Sequence, residues 1–123
     1  MKYLVDTNIF IYHFNKDSLA THFLENNAGE YAISFVTFME LLGFPDIDDS
    51  MTESIRDFLG NISVRGMSDE IVEMCIKNRK DKKIKLADNI IASTAQVYDL
   101  ILVTRNIDDF RSLNLNTYNP YEI

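Results

Sequence analysis

The chain is short of the residues that several common chemistries require. Cysteine occurs once, at Cys75, so no internal disulfide can form, and that fits a reducing cytoplasm. Its neighbours Ile71, Val72, Met74 and Ile76 predict a packing role for the thiol in the core. Glycine occurs only four times. No Walker A loop, G-x-G-x-x-G or G-x-S-x-G is present, which weighs against phosphate-cradling nucleotide enzymes and leaves no nucleophile elbow. No run approaches the roughly 18 apolar residues of a membrane span. The N-terminus has no basic region followed by a cleavable apolar segment, so secretion is not expected. Positive charge is also in deficit: 12 Lys and Arg against 19 Asp and Glu leave a net charge of −7. That balance argues against coating nucleic acid by bulk electrostatics, but it allows an enzyme whose acids are gathered in one site.

What is present is ordinary for a soluble globular protein, with 46% apolar and 25% charged residues. The 123 residues predict one domain, 1–123, burying about two-thirds of its unfolded surface. Short apolar runs at 3–5, 31–33, 62–64 and 101–103 read as strands, with 115–118 a candidate edge strand. Between them lie segments of helical period. Ser18, Ser34 and Ser68 are expected helix caps. Strands alternating with helices predict a three-layer α/β/α sandwich with a mainly parallel sheet of four to five strands.

The informative positions are acids in apolar settings. Asp6-Thr7-Asn8 breaks the run that begins at Tyr3, and a carboxylate at the end of a buried strand sits where open α/β sheets build ligand sites. Taken alone, Asp6 reads equally well as a helix cap. Glu40 falls within the helix 35–42, on which Val36, Met39 and Leu42 share a face; judged by its segment alone it turns to solvent. Asp88 opens a helix with small or apolar residues around most of its circumference, which marks that helix as central. Thr104-Arg105-Asn106 ends the strand 101–103 as Asp6-Thr7-Asn8 ends the first, with Asp108 and Asp109 beyond. Hard oxygen donors without His or Cys partners point to Mg²⁺ or Mn²⁺ rather than zinc. The acids Asp46, Asp48 and Asp49 lack the glycine and glutamate of a calcium loop and read as opposing a helix dipole. His13 and His22 read as packing or surface residues.

Six of the twelve Lys and Arg residues fall between Lys77 and Lys85. A helix C-terminus accounts for two or three of them. The remainder read equally as a solvated loop or as a phosphate-contacting patch.

Four segments, YLVDTNIFI at 3–11, SFVTFMEL at 34–41, LADNIIASTA at 86–95 and LVTRNIDDF at 102–110, together resemble the PIN-domain ribonucleases, and specifically the VapC-type toxins of prokaryotic toxin–antitoxin pairs. Each motif alone is weak; four in order along nearly the whole chain are specific. The resemblance implies a cytoplasmic Mg²⁺- or Mn²⁺-dependent endoribonuclease. Its acidic core would be Asp6, Glu40 and Asp88, with Asp6 and Asp88 as the metal ligands. Asn106 or Asp109 would fill a fourth acidic position, and Asn8 and Thr104 would supply supporting hydrogen bonds. Arg79, Lys80, Lys82, Lys83 and Lys85 become candidate RNA contacts. A homodimer is implied too, with a VapB-like antitoxin that covers the active site and contacts DNA on the toxin's behalf. Alternatives are an RNA-processing nuclease without an antitoxin, a catalytically silent RNA- or protein-binding module, and an unrelated metal-dependent phosphohydrolase.

Overall fold

The computed structural model describes residues 1–122. Its five strands are β1 (Tyr3–Val5), β2 (Tyr31–Ser34), β3 (Ser63–Arg65), β4 (Ile101–Val103) and β5 (Thr117–Tyr118). They form one sheet in the order β3-β2-β1-β4-β5, and every pairing is parallel. The helices are α1 (Thr7–Phe14), α2 (Ser18–Asn26), α3 (Phe35–Leu42), α4 (Asp49–Leu59), α5 (Asp69–Asp81) and α6 (Leu86–Tyr98), with a 3₁₀ turn at Ile107–Phe110. The expected three-layer architecture is met, with five strands and a wholly parallel sheet.

The period-two alternation of the strands divides the core into two layers. Val5, Ile33 and Val103 pack on one face with Ile9, Phe10, Phe23 and Leu59. Leu4, Ala32 and Leu102 pack on the other with Ile91, Ala92, Ala95 and Phe110. Parallel strands are covered on both faces, so these short runs are apolar throughout. Strand β1 is central, with β2 and β3 to one side and β4 and β5 to the other. The order therefore reverses at β1, and such a switch point opens a crevice at the carboxyl ends of the strands. Asp6 is the residue that follows β1.

Local chemistry sets the helix boundaries. Ser34 and Ser68 cap α3 and α5 by accepting from the backbone N–H groups of Val36 and Ile71. Asp17 caps α2 by accepting from Ala20, so Ser18 is the first helical residue rather than the cap. Its longer side chain reaches the orphan N–H groups from one position further out. Asp48 caps α4 through Met51 N–H, as the dipole reading of that acidic stretch anticipated. Helix α6 begins two residues before Asp88 and ends at Asp99, whose left-handed φ of 53° turns the chain into β4 within two residues.

Two expectations about packing are corrected. On α3 the buried face is Val36, Thr37 and Leu41, while Met39 is 57% exposed; the helix rolls to seat Thr37 beneath the carboxyl edge of the sheet. Cys75 is half-buried rather than a core residue. The space beneath α5 is taken instead by a polar cluster. Asn78, 4% exposed, donates to Asn89 Oδ1 at 3.2 Å, Ser93 Oγ at 3.1 Å and Gln96 Oε1 at 2.8 Å, all on α6. Asn89 in turn donates to Cys75 O at 2.9 Å. Buried amides of this kind fix the register of two helices because the two amide N–H groups, one of them shared between acceptors, are satisfied only by the facing helix.

Replacing Asn78 with Ala should orphan these acceptors and destabilise the protein by about 1–3 kcal/mol. A lower urea midpoint at unchanged slope is the expected result; an unchanged midpoint would show that the cluster contributes nothing net.

Candidate active site

The carboxyl ends of β1 and β4 are sealed to one another just beyond the last strand residues. Asp6 N–H donates to Val103 O at 2.9 Å, continuing the ladder, and Asp6 then occupies the N-cap position of α1. Its side chain does not cap that helix. Instead Oδ2 accepts from Thr104 Oγ1–H at 2.9 Å, and Thr104 Oγ1 in turn accepts from Asn106 N–H at 3.1 Å. The cap reading of this side chain is thus not met.

Asp6 is 5% exposed. Burial pushes its carboxyl up from 3.8 to about 6, with further upward pressure from the charges of Asp88 and Glu40. The hydrogen bonds from Thr104 and from Thr7 N–H resist that rise. Asp88 lies in the first turn of α6. It too is raised, first by burial, then by Asp109 and Glu40, with Lys85 pulling the other way.

Glu40 reaches the same place from α3. Its Oε1 accepts from Thr7 Oγ1–H at 2.7 Å. Since that hydroxyl proton is committed to Glu40, Thr7 Oγ1 accepts from Thr37 Oγ1–H, 2.9 Å away. Both threonines are buried, and Glu40 itself is exposed. The segment-level expectation of a solvent-turned Glu40 is therefore correct about exposure but incomplete, because the exposed carboxylate is tethered at the rim of the site. The Thr37–Thr7–Glu40 chain is the part that sequence reasoning missed. Its signal was available, since Thr37 and Glu40 are spaced i, i+3 on one helix, but nothing in the sequence placed Thr7 beside them.

Asp6, Thr7, Asn8, Glu40 and Asp88 line one cleft of about 390 Å³, closed on one side by Gly43, Phe44 and Pro45. Asn8 is present in the cleft wall, but among the described residues no hydrogen bond supports the role expected of its side chain. Asp109 lies close enough to raise Asp88, and both Asn106 and Asp109 line a neighbouring polar cleft with Arg105 and Arg111. Lys82 Nζ donates to Asp109 O at 3.1 Å, which brings the basic loop against this edge. His13 packs on Phe14 and Phe58 and pairs with Thr21, and His22 pairs with Asn26.

Two carboxyls raised by burial and by neighbouring acids are a poor arrangement for stability and a suitable one for a cation. Among the described residues the only ion pair is Arg111–Asp108 at 2.6 Å, which is exposed, so no basic side chain is bonded to the cleft acids. No three His, Cys, Asp or Glu side chains among the described residues are drawn together as a complete metal cage. An all-oxygen donor set of one or two carboxylates nonetheless fits Mg²⁺ or Mn²⁺, which retain several waters and rarely use a full protein cage.

The raised carboxyl of Asp6 has a consequence for stability. The folded protein holds this proton more tightly than the unfolded chain, so stability is lost as pH rises from about 4 through 6. In metal-free buffer Asp6→Asn should remove that penalty, worth about 3 kcal/mol when fully developed. Urea unfolding in EDTA should find the variant more stable at pH 7.5 and equal to wild type near pH 4. A variant less stable at both values would contradict the electrostatic account.

The fold is shared with known proteins. A family model described as the PIN domain matches residues 3–114. No curated protein matches the chain. Among solved structures, a chain of the toxin–antitoxin complex from Klebsiella pneumoniae is 34% identical at a TM-score of 0.87, covering 99% of this chain and 100% of that one. A chain of VapBC2 from Rickettsia felis, solved bound to a DNA fragment from its promoter, is 28% identical at a TM-score of 0.83, covering 97% and 98% respectively. VapBC-1 from nontypeable Haemophilus influenzae, at 22% identity and a TM-score of 0.83, shares the fold over 99% and 100%. Because the family model runs from the strand that delivers Asp6 to beyond the turn that carries Asp109, this chain belongs to the PIN-domain family.

Proposed function

We propose that this chain is a metal-dependent endoribonuclease, the VapC-type toxin of a type II toxin–antitoxin pair. The observation that carries the proposal is the cleft in which Asp6, Glu40 and Asp88 meet with no bonded cation. Membership of the PIN family, whose domains are generally nucleases, supplies the reaction class. In this reading Asp6 and Asp88 hold Mg²⁺ or Mn²⁺. Once bound, the ion would polarise a phosphodiester and acidify a water molecule.

The chain's own groups do the rest. Thr104 fixes the rotamer of Asp6 and helps keep its carboxylate ionised. Thr7, itself held by Thr37, presents Glu40 as the base that orients the attacking water and takes its proton. Asp109 is the better candidate for the fourth acidic position, because its charge acts on Asp88. The run Arg79, Lys80, Lys82, Lys83 and Lys85, from the last turn of α5 into the loop that follows, supplies local positive charge for the RNA backbone on an otherwise acidic protein.

An antitoxin partner is supported by what adjoins the acids. An apolar cleft of about 290 Å³, with Phe14, Leu41, Met51 and Ile55 in its walls, shares Ile11, Phe44 and Pro45 with the acidic one. A partner segment with an apolar face and one basic side chain would fill both clefts and neutralise the carboxylates. The related Klebsiella and Rickettsia structures are toxin–antitoxin assemblies. We therefore assign this surface to a VapB-like antitoxin, which would also carry the DNA contacts. A homodimer acting in a prokaryotic cytoplasm, with residues 1–123 as one domain, completes the proposal.

The deciding experiment is cleavage of a mixed tRNA and ribosomal RNA pool with Mg²⁺, with Mn²⁺ and with EDTA. Wild type should give discrete metal-dependent fragments, lost in Asp6→Asn and Asp88→Asn and reduced at least tenfold in Thr7→Val. A folded, antitoxin-free protein that cuts nothing would overturn the nuclease reading. Replacing Lys82, Lys83 and Lys85 with Ala should weaken RNA binding and flatten log K against log salt by about 2, each contact on a single strand contributing roughly 0.7. An unchanged slope would remove the loop from the RNA interface.

A further inference from the structure

Arg105 stands between Thr104, which holds Asp6, and Asn106, whose N–H closes on the same threonine hydroxyl. It is exposed, and among the described residues no carboxylate pairs with it. Its guanidinium is nevertheless committed. The central carbon lies 4.4 Å from the ring centre of Tyr121 and 5.4 Å from that of Tyr12. Those two rings meet edge to face at 5.7 Å. Both distances suit a cation–π contact.

The rings are anchored in turn. Tyr121 Oη–H donates to Asp17 Oδ1 at 3.0 Å, the oxygen that also caps α2. Tyr121 N–H donates to Asn119 Oδ1 at 2.9 Å, and the buried Asn119 amide donates to Arg105 O at 3.4 Å. One residue earlier, Thr104 N–H donates to Tyr118 O at 3.0 Å. Residues 118–121 thus grip Thr104 and Arg105 from one side, while the Thr104 hydroxyl turns to Asp6. Tyr12 belongs to the second turn of α1, the helix that begins directly after Asp6. The Arg105 side chain therefore ties the exit of β4 to the helix that leaves β1. Those are the two segments that the Asp6–Thr104 bond joins.

We infer that Arg105 is a positioning residue for the ion site: clasped by Tyr12 and Tyr121, it holds the β4 exit against α1, so that the Thr104 hydroxyl stays on Asp6 Oδ2 and the carboxylate keeps one orientation. The inference rests on the metal-dependent nuclease reading. Arg105 is bonded to none of the cleft acids among the described residues and acts through Thr104. Removing a hydrogen-bond partner of a metal ligand commonly costs about 10–100-fold in affinity, whereas an exposed cation–π contact adds little to global stability. Loss of the clasp should therefore register at the ion site before it registers in unfolding.

The test measures Mn²⁺ affinity of the purified protein from the electron paramagnetic resonance signal of the unbound ion, beside thermal unfolding. Wild type should bind Mn²⁺, and Asp6→Asn far more weakly. Thr104→Val should weaken binding about tenfold and Arg105→Ala about fivefold, the latter with its unfolding temperature nearly unchanged. Adding Arg105→Ala to Thr104→Val should cost nothing further, because both remove the same link. Tyr121→Phe keeps the ring and should bind Mn²⁺ as wild type does, whereas Tyr121→Leu should match Arg105→Ala. Unchanged Mn²⁺ affinity in Arg105→Ala, or losses that simply add in the double variant, would overturn the positioning role and leave the nuclease standing. Unchanged Mn²⁺ affinity with a raised KM for RNA would likewise overturn it and make Arg105 a substrate contact. A wild type that binds Mn²⁺ no better than Asp6→Asn would overturn the metal-dependent reading together with the inference.

Discussion

The hydroxyl of Thr104, 2.9 Å from Asp6 Oδ2, joins the two strands on which the site depends. It satisfies a carboxylate buried at the end of the central strand and opposes the desolvation that would otherwise keep that group protonated. It also couples β1 to β4 beyond the last strand residues, next to the backbone bond from Asp6 to Val103. The wholly parallel sheet, the reversal of strand order at β1 and the placement of α6 over the same edge can be understood as the framework that makes this position possible. Leu4, Val5, Leu102 and Val103 are all fully buried, and each contributes roughly 1.5–3 kcal/mol of burial to hold that framework.

Such rigidity has a use. The raised carboxyls of Asp6 and Asp88 oppose folding at neutral pH, and among the described residues no Lys or Arg is bonded to them. Stability given up at a site and recovered across the core is the usual signature of a binding or catalytic arrangement. The two threonines act on the exposed acid in a different way. Thr37 and Thr7 form a short relay that limits the rotamers of Glu40 from beneath, so that a solvent-exposed side chain is held in one orientation. Positioning of this kind lowers the entropy that a reaction must otherwise supply.

Charge is distributed unevenly over the molecule. Its overall excess of acid is interrupted by one basic loop, and that loop is anchored at both ends of its reach: Lys82 to the turn carrying Asp109, Arg79 to Ile84. The surface beside the acidic cleft is thus bipartite. One side is an apolar cleft with Phe14, Leu41, Met51 and Ile55 in its walls, while the other carries the basic residues Arg79, Lys80 and Lys85.

The sequence by itself determined a great deal of this protein. Apolar triplets ending in polar residues marked β1, β2 and β4, because buried parallel strands need no alternation and polar groups are tolerated only where they end. The alternation of helix and strand implied the layered fold, and four short motifs in order implied the family. Asp6, Glu40 and Asp88 stood out as carboxylates in apolar stretches. Their own segments read Asp6 equally as a cap and Glu40 as solvent-turned; only the family resemblance gathered them into one candidate site. Tertiary structure alone decided which way each of those side chains turned. Asp6 could have capped α1, since the residue type and backbone conformation suit a cap; only the arrival of Thr104 from a strand 98 residues away gave it another partner. The Thr7 bond to Glu40 spans 33 residues, and no local pattern reports a contact of that range. The same holds for α5: its apolar residues suggested a packed face with Cys75 inside. Asn78 took that interior place through three acceptors on α6, leaving Cys75 half-buried and Ile76 on the wall of a cleft with Arg79 and Lys80.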